Sequence, residues 1–298
     1  MGYLFLSFAV LSGAVKGYCG KRISGRVDGF KDAMLTNFIR MVFCIIIGGV
    51  ISVFSLGLQG FSISFSSLAI SFLSGISTAI FVISWLISVK NGAYVMLDVF
   101  LMLGVIVASV LCRIFLFEEI RLNQYVGFGI LLLASYIMCS YNISLKGKFS
   151  LKSFGLVALC GIANGVTSFS QKLFVYTDKT ADSGVYNFYT YIFASFVLLL
   201  AYLICRGKEK TDSKRDIKLV KSVLSVILIM SVCLFANSYF IVVAAKTIPS
   251  AVLFSLSQGS ALIISGLMAN FLFGEKANIK SIIGMLMAFC ALLIINLL

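Results

Sequence analysis

Three charged residues stand where charge is expensive. Asp98 lies in Tyr94–Ser109, a stretch with no other ionisable carboxylate or cation, and Arg40 and Lys16 lie in comparably apolar surroundings. In hydrocarbon such groups must be paired, hydrogen-bonded or titrating, so they mark substrate, ion or proton pathways. Asp98, about two turns into its apolar stretch, has two readings. It binds a cation or a coupling proton, or it is the fixed ion-pair partner of Arg40 or Lys16. Arg40 either holds an anionic group bidentately or pairs with Asp98 and caps helix ends. Lys16, nearer its helix end, can simply snorkel.

A second set is polar but uncharged. It comprises Asn164, Thr167, Ser168 and Gln171, then Asn237 and Ser238, then Ser255, Ser257, Gln258 and Ser260. Gln258 is central and flanked by small residues that allow close helix approach; such residues join helices as often as they bind ligands. Tyr186, Tyr189 and Phe193, at i, i+3 and i+7, share one helix face that either stacks on a planar or cationic substrate or forms an aromatic belt. Trp85 and Tyr94 read as belt residues. The expected substrate-binding set is Arg40, Asp98, Asn164, Gln171, Tyr186, Tyr189, Asn237 and Gln258.

Other chemistries have little support. The chain has no His, and its eight Cys occur singly within apolar segments, so neither a metal site nor a disulfide framework is expected. No cluster of paired carboxylates with Arg or His suggests an enzyme, and no phosphate-binding glycine loop suggests a nucleotide or other cofactor. Gly161-x-x-x-Gly165 is a helix-packing signal. The net charge of +13 would suggest nucleic acid in a soluble protein. Here basic loops beside anionic lipid account for it, and no nucleic-acid partner is expected.

The elements that carry these residues are membrane spans. Sixty per cent of the chain is apolar and 12% charged, with mean hydropathy +1.08, far from a soluble domain. Apolar windows of about twenty residues predict ten transmembrane helices, near 2–20, 34–56, 67–89, 92–117, 123–142, 153–175, 184–205, 220–245, 248–273 and 279–297. The N-terminal segment lacks a basic n-region and a small-x-small cleavage site, and reads as the first span.

The spans repeat. Phe115-Leu116-Phe117-Glu118-Glu119 returns as Phe271-Leu272-Phe273-Gly274-Glu275, with Glu119 and Glu275 156 residues apart and Lys90 and Lys246 at the same offset. Lys21 and Lys172 close the first helix of each half, 151 apart, and Asn37-Phe38 parallels Asn187-Phe188, 150 apart. This predicts two five-helix repeats, 1–145 and 146–298. Five is odd, so the second half enters the bilayer from the opposite side, an inverted repeat as in many secondary transporters. A Lys and the Glu that follows it are separated by a span of roughly 40 Å and lie on opposite faces. Lys90, Lys246, Glu119 and Glu275 are thus expected to be helix-end markers, with gating as the alternative. Loop Lys and Arg residues gather on the face away from both termini, which places the termini outside.

At the two Glu-bearing junctions the chain resembles the EamA-like transporters of the drug/metabolite transporter superfamily. The segment from Phe271 to Asn296 (FLFGEKANIKSIIGMLMAFCALLIIN) is similar to that family's last hairpin, with Gly284, and Gly127 in the first half, at the Gly that opens the final helix. Asn37-Phe38-Ile39-Arg40 resembles the family's Arg early in the second span. Two features differ: the only proline is Pro249, at a helix start, and the resemblance implies cytoplasmic termini, against the loop charges. The expectation is a secondary transporter of a small polar or amphiphilic metabolite or drug, working by alternating access, proton-coupled or by exchange. A channel, a scramblase-like protein and, further off, a membrane-embedded enzyme are the alternatives. The expected setting is a bacterial plasma membrane, with a small-molecule substrate and the lipid bilayer as partners, as a monomer or homodimer.

Overall fold

A computed structural model describes residues 1–57, 61–91, 94–146, 151–178, 182–208, 213–275 and 278–296. The expected span ends at 92 and 297, and the loop charges Lys148, Lys179, Lys210 and Lys276, lie outside the described residues. The described chain is ten helices: α1 (Gly2–Ser24), α2 (Phe30–Leu56), α3 (Phe65–Asn91), α4 (Tyr94–Leu116), α5 (Leu122–Lys146), α6 (Leu151–Thr177), α7 (Ser183–Lys208), α8 (Ser213–Ala245), α9 (Ser250–Phe271) and α10 (Ile279–Asn296). No strand occurs among the described residues. Helices suit this composition because each satisfies its own backbone N–H and C=O groups where lipid offers no partner. Pro249 lacks an N–H to lose and sits at the N-cap of α9.

Nine of these helices are long and apolar enough to cross a membrane. The tenth, α10, has 18 residues and a length of about 27 Å. The protein is a multi-span membrane protein. Its outward faces carry exposed Ile46, Phe72, Leu133, Leu203, Leu228 and Leu286, a surface only hydrocarbon solvates well.

Contacts at helix ends sort the ends onto two faces. On one, Lys21 reaches Glu275, Lys31 reaches Asp216 (3.1 Å), Lys90 reaches Asp28 (3.4 Å), and Lys280 reaches Ser140 (2.8 Å). On the other, Lys172 meets the end of α8, Ser250 meets Glu118, and Asn123 donates to Ile294 O (3.0 Å). The first is called the basic face below and the second the terminal face, since α1 begins there beside Thr247 and Ile248. α1 therefore starts on the terminal face, whereas α6 ends there.

Packing partners recur between the halves. α1 packs on α8 as α6 packs on α3; α2 lies against α7, α5 against α10, and α4 against α9. One pair that the expected repeat would match is unequal. α4 lies closely along α6, whereas α1 touches α9 sparsely. The Gly161-x-x-x-Gly165 signal accounts for the first contact. A Cβ added at Gly161 would lie 2.6 Å from Phe100 O, and one at Gly165 the same distance from Gly104 O. Backbone meets backbone there because no side chain intervenes.

The Glu-bearing ends of α4 and α9 share one turn. Phe117 has φ 57° and Gly274 φ 63°. The next residue in each case donates its N–H six residues back, Glu118 to Cys112 O (3.4 Å) and Glu275 to Ala269 O (2.9 Å). Each bond spans one residue more than the six-to-one closure that ends many helices, with the left-handed residue reversing the chain in the same way. The counterpart of Glu275 is thus Glu118, not Glu119 as the sequence offset suggests; Glu119 is exposed.

Candidate functional site

A central cavity of about 140 Å³ lies between α1, α3, α4, α6, α8 and α9, with Tyr191 of α7 at its wall. It is lined from both halves of the chain. Of the eight expected binding residues, Asp98, Asn164, Gln171, Asn237 and Gln258 line it, whereas Arg40, Tyr186 and Tyr189 do not.

The charged end comes from α1 and α4. Asp98 stands four residues into α4, about 6 Å from its start on the basic face, because α4 begins at Tyr94 rather than earlier. Its Oδ2 is shielded from solvent and has no hydrogen-bond partner. None of the ion pairs among the described residues includes Asp98, Lys16 or Arg40, so the fixed pairing, one of the two readings of Asp98, is not formed. Lys16 lies deeper than its expected snorkelling place, because α1 continues to Ser24. Its Nζ sits 3.5 Å from Asn237 Oδ1, and Asn237 Nδ2 donates to Ala9 O (2.7 Å), fastening α8 to α1.

The uncharged end comes from α6, α8 and α9. Asn164 Nδ2 donates to Leu101 O (3.3 Å), joining α6 to α4. Gln171 Nε2 donates to Ser238 Oγ (3.0 Å), which donates to Asn187 Oδ1 (2.6 Å). Three helices are thereby tied by one relay, of which Gln171 and Ser238 line the cavity. Thr167 and Ser77 Oγ share a hydrogen bond of 2.9 Å between α6 and α3. Gln258 and Ser257 present the polar edge of α9 to the same space.

Three corrections follow. Arg40 is 3% exposed and packs within the protein; Nη1 lies 3.5 Å from Met230 Sδ, and Nε has no partner. Tyr186 stacks on Phe174 at 4.3 Å, Phe193 meets Phe72 edge-on at 5.2 Å, and Tyr189 donates to Phe61 O (2.9 Å), so that face of α7 is used for packing. Trp85 and Tyr94 are not belt residues: both are buried and line the cavity. Tyr191, Phe81 and Phe254 complete its aromatic wall. Their types suit a lipid-facing surface equally well, so sequence alone had no signal for them.

The helix-end markers divide in the same way. Lys90 sits on the basic face against Asp28 and Val27 O, and Glu275 is the partner of Lys21 there. Lys246 and Glu119 are exposed on the terminal face. Among the described residues no group of His, Cys, Asp and Glu could hold a metal ion, and the eight cysteines are free.

Residues 151–297 match the EamA-like transporter family, whose place is the drug/metabolite transporter superfamily. No curated protein matches the sequence. A solved crystal structure of a protein aligns over 99% of this chain and 96% of its own, with a TM-score of 0.63 and 13% identity, a likeness of fold. In this ten-helix membrane bundle the second five helices carry the family's pattern: residues 151–297 are an EamA-like transporter family segment.

Proposed function

We propose that the protein is a secondary transporter that carries a small polar or amphiphilic metabolite through the central cavity by alternating access. The halves 1–145 and 146–298 act as two inverted repeats. The observation that carries this reading is the cavity, lined from both halves, with the unpartnered carboxylate oxygen of Asp98 at one end. Opposite running of α1 and α6 and recurring packing partners support the repeat. Transporter folds of that kind bind substrate between their halves near mid-membrane.

Lys16 and Asp98 border one space of about 140 Å³ without an ion pair between them. A substrate bearing groups of both signs satisfies both; a proton on Asp98 is the alternative when the substrate is an anion. Asn164, Gln171, Asn237 and Gln258 offer amides to the rest of a polar ligand, and the aromatic wall offers apolar area. The expected setting is a bacterial plasma membrane, with no cofactor and no enzymatic step.

Uptake into proteoliposomes tests this. Saturable flux with counterflow is expected from a carrier, and linear flux without counterflow would point to a channel. Asp98→Asn should reduce uptake at least about tenfold, the scale of one lost charge-assisted hydrogen bond. Unchanged uptake and unchanged pH dependence in Asp98→Asn would remove Asp98 from the site.

A further inference from the structure

Beyond the cavity, the basic and terminal faces carry the same residue types in different arrangements. On the basic face, Lys21 Nζ lies 3.2 Å from Glu275 Oε1, with the two side chains only 18% and 11% exposed. Lys21 also donates to Val89 O at 3.3 Å. Both oxygens of Glu275 accept from the backbone N–H of Tyr94, at 3.0 and 3.1 Å. One carboxylate thus joins the end of α9 to the end of α1 and the start of α4. Phe273 packs between them, its ring centroid 5.9 Å from that of Tyr18 and 5.3 Å from that of Tyr94. Tyr94 also lines the cavity, and Asp98 is one turn further along the same helix.

On the terminal face the same kinds of element meet: the end of α6, the α8–α9 junction and the end of α4. Lys172 Nζ donates to Ala245 O and Ile248 O, both at 3.0 Å. Glu118 Oε1 accepts instead from Ser250 Oγ at 2.9 Å, at the start of α9. No ion pair within 4 Å joins Lys172 to Glu118. Lysine, junction carbonyls and carboxylate are all present, but the charges are apart. If these residues only finished their helices, both faces would be expected to adopt the same arrangement.

We propose that Lys21 and Glu275 form a latch that holds the basic face shut in this conformation. Lys172 and Glu118 form the matching latch on the terminal face in the opposite conformation. The inference rests on the alternating-access reading. A charge pair present in one state and absent from the other biases the equilibrium by its differential interaction alone. Because Glu275 grips the first residue of α4, opening the basic face releases the helix that carries Asp98. Cavity occupancy and latch state are therefore linked through α4.

Distances between spin labels in the full-length protein in lipid test the latch. The labels, on unnatural amino acids that leave the native cysteines in place, go at Arg22 and Leu272 on the basic face and at Ile114 and Tyr176 on the terminal face. Glu275→Gln keeps an oxygen for the Tyr94 N–H but loses the charge. It should raise the long-distance population on the basic face roughly threefold to tenfold, as expected for losing a partly shielded ion pair. Lys21→Gln should do the same, and the double variant no more than either alone, since both remove one interaction. Lys172→Gln should act in the opposite direction and reduce that population. Unchanged distances in Glu275→Gln and Lys21→Gln, additive effects, or a Lys172→Gln shift of the same sign would each overturn the latch. Flux in proteoliposomes separates the two ideas. Distance responses without any carrier flux would remove the transport reading and leave the latch. Carrier flux without distance responses would remove the latch alone.

Discussion

The α4–α6 and α1–α9 crossings, which the proposed repeat would match to each other, are built differently. At α4–α6, Gly104, Gly161 and Gly165 bring two backbones together. The 151-residue step from Lys21 to Lys172 carries Gly161 and Gly165 back onto Val10 and Ala14. The 157-residue step from Glu118 to Glu275 carries Gly104 forward onto Ala261. Val10, Ala14 and Ala261 all line the cavity. Glycine therefore accompanies the crossing that is packed shut, and slightly larger residues accompany the one that is held apart by polar space. In a bilayer, where apolar contact between helices gains little over lipid, such close approach is a main source of association.

Substitution at matched positions should separate the two crossings most sharply. Gly165→Val drives a branched side chain into Gly104 O and the Val107 side chain, each already 2.6 Å from an added Cβ. Because neither neighbour is the loose end of a flexible chain, a loss of about 3 kcal/mol is expected, visible as a lower yield of monodisperse protein and a lower Tm in detergent. Ala14→Val points extra volume at the cavity instead. It should cost less than about 1 kcal/mol of stability and reduce flux. Equal losses of Tm in the two variants would erase the distinction between a packed and an open crossing.

That distinction was only half legible in the sequence. Ten helices were readable because each must bury about twenty apolar residues in lipid, and the Gly-x-x-x-Gly pair announced one close contact. What Gly161 and Gly165 touch was not readable, since a small-residue stripe does not name its partner. Asp98, Asn164, Gln171, Asn237 and Gln258, which line the cavity, stand out in the sequence because polar groups are rare inside spans. Arg40, Tyr186 and Tyr189 satisfy the same criterion yet face protein. Burial within a bundle and exposure to a cavity look identical in composition. Lys16 looks shallow in the sequence because the apolar window stops at 20, four residues before the end of α1, and the spacing of charges points to Glu119 over Glu118 because it ignores the turn that precedes them.

Polar fastenings sharpen the comparison at smaller scale. Asn237 Nδ2 donates to Ala9 O at 2.7 Å and fixes α1, the helix with the sparser contact to α9. Asn164 Nδ2 donates to Leu101 O at 3.3 Å across a crossing already held by glycines. Hydrogen bonds between membrane helices average near 0.6 kcal/mol and reach about 1.7. Asn237→Leu should therefore fall near the upper end, about 1.5 kcal/mol, and Asn164→Leu near 0.5 kcal/mol, both by thermal unfolding in the same detergent. The reverse order would mean that α1 is held by its side-chain packing on α8, and that its separation from α9 costs it nothing.

The smallest expected effect concerns the turns that aim the two carboxylates. Phe117 and Gly274 hold nearly the same left-handed backbone, φ 57° and 63°, but only glycine adopts it without strain. Gly274→Ala should cost about 1 kcal/mol, and Phe117→Gly should gain up to about 1 kcal/mol, since the Phe117 ring is 84% exposed and gives up little packing. Thermal shifts of opposite sign at these positions are expected. If Phe117→Gly instead destabilises, the Phe117 ring holds the end of α4 in place. The orientation of Glu118 would then depend on a side chain where that of Glu275 depends on the backbone. Opposite signs would mean that both carboxylates are aimed by one kind of backbone turn, although only Glu275 is joined to its lysine here and the sequence spacing of the glutamates pairs them one residue out of register.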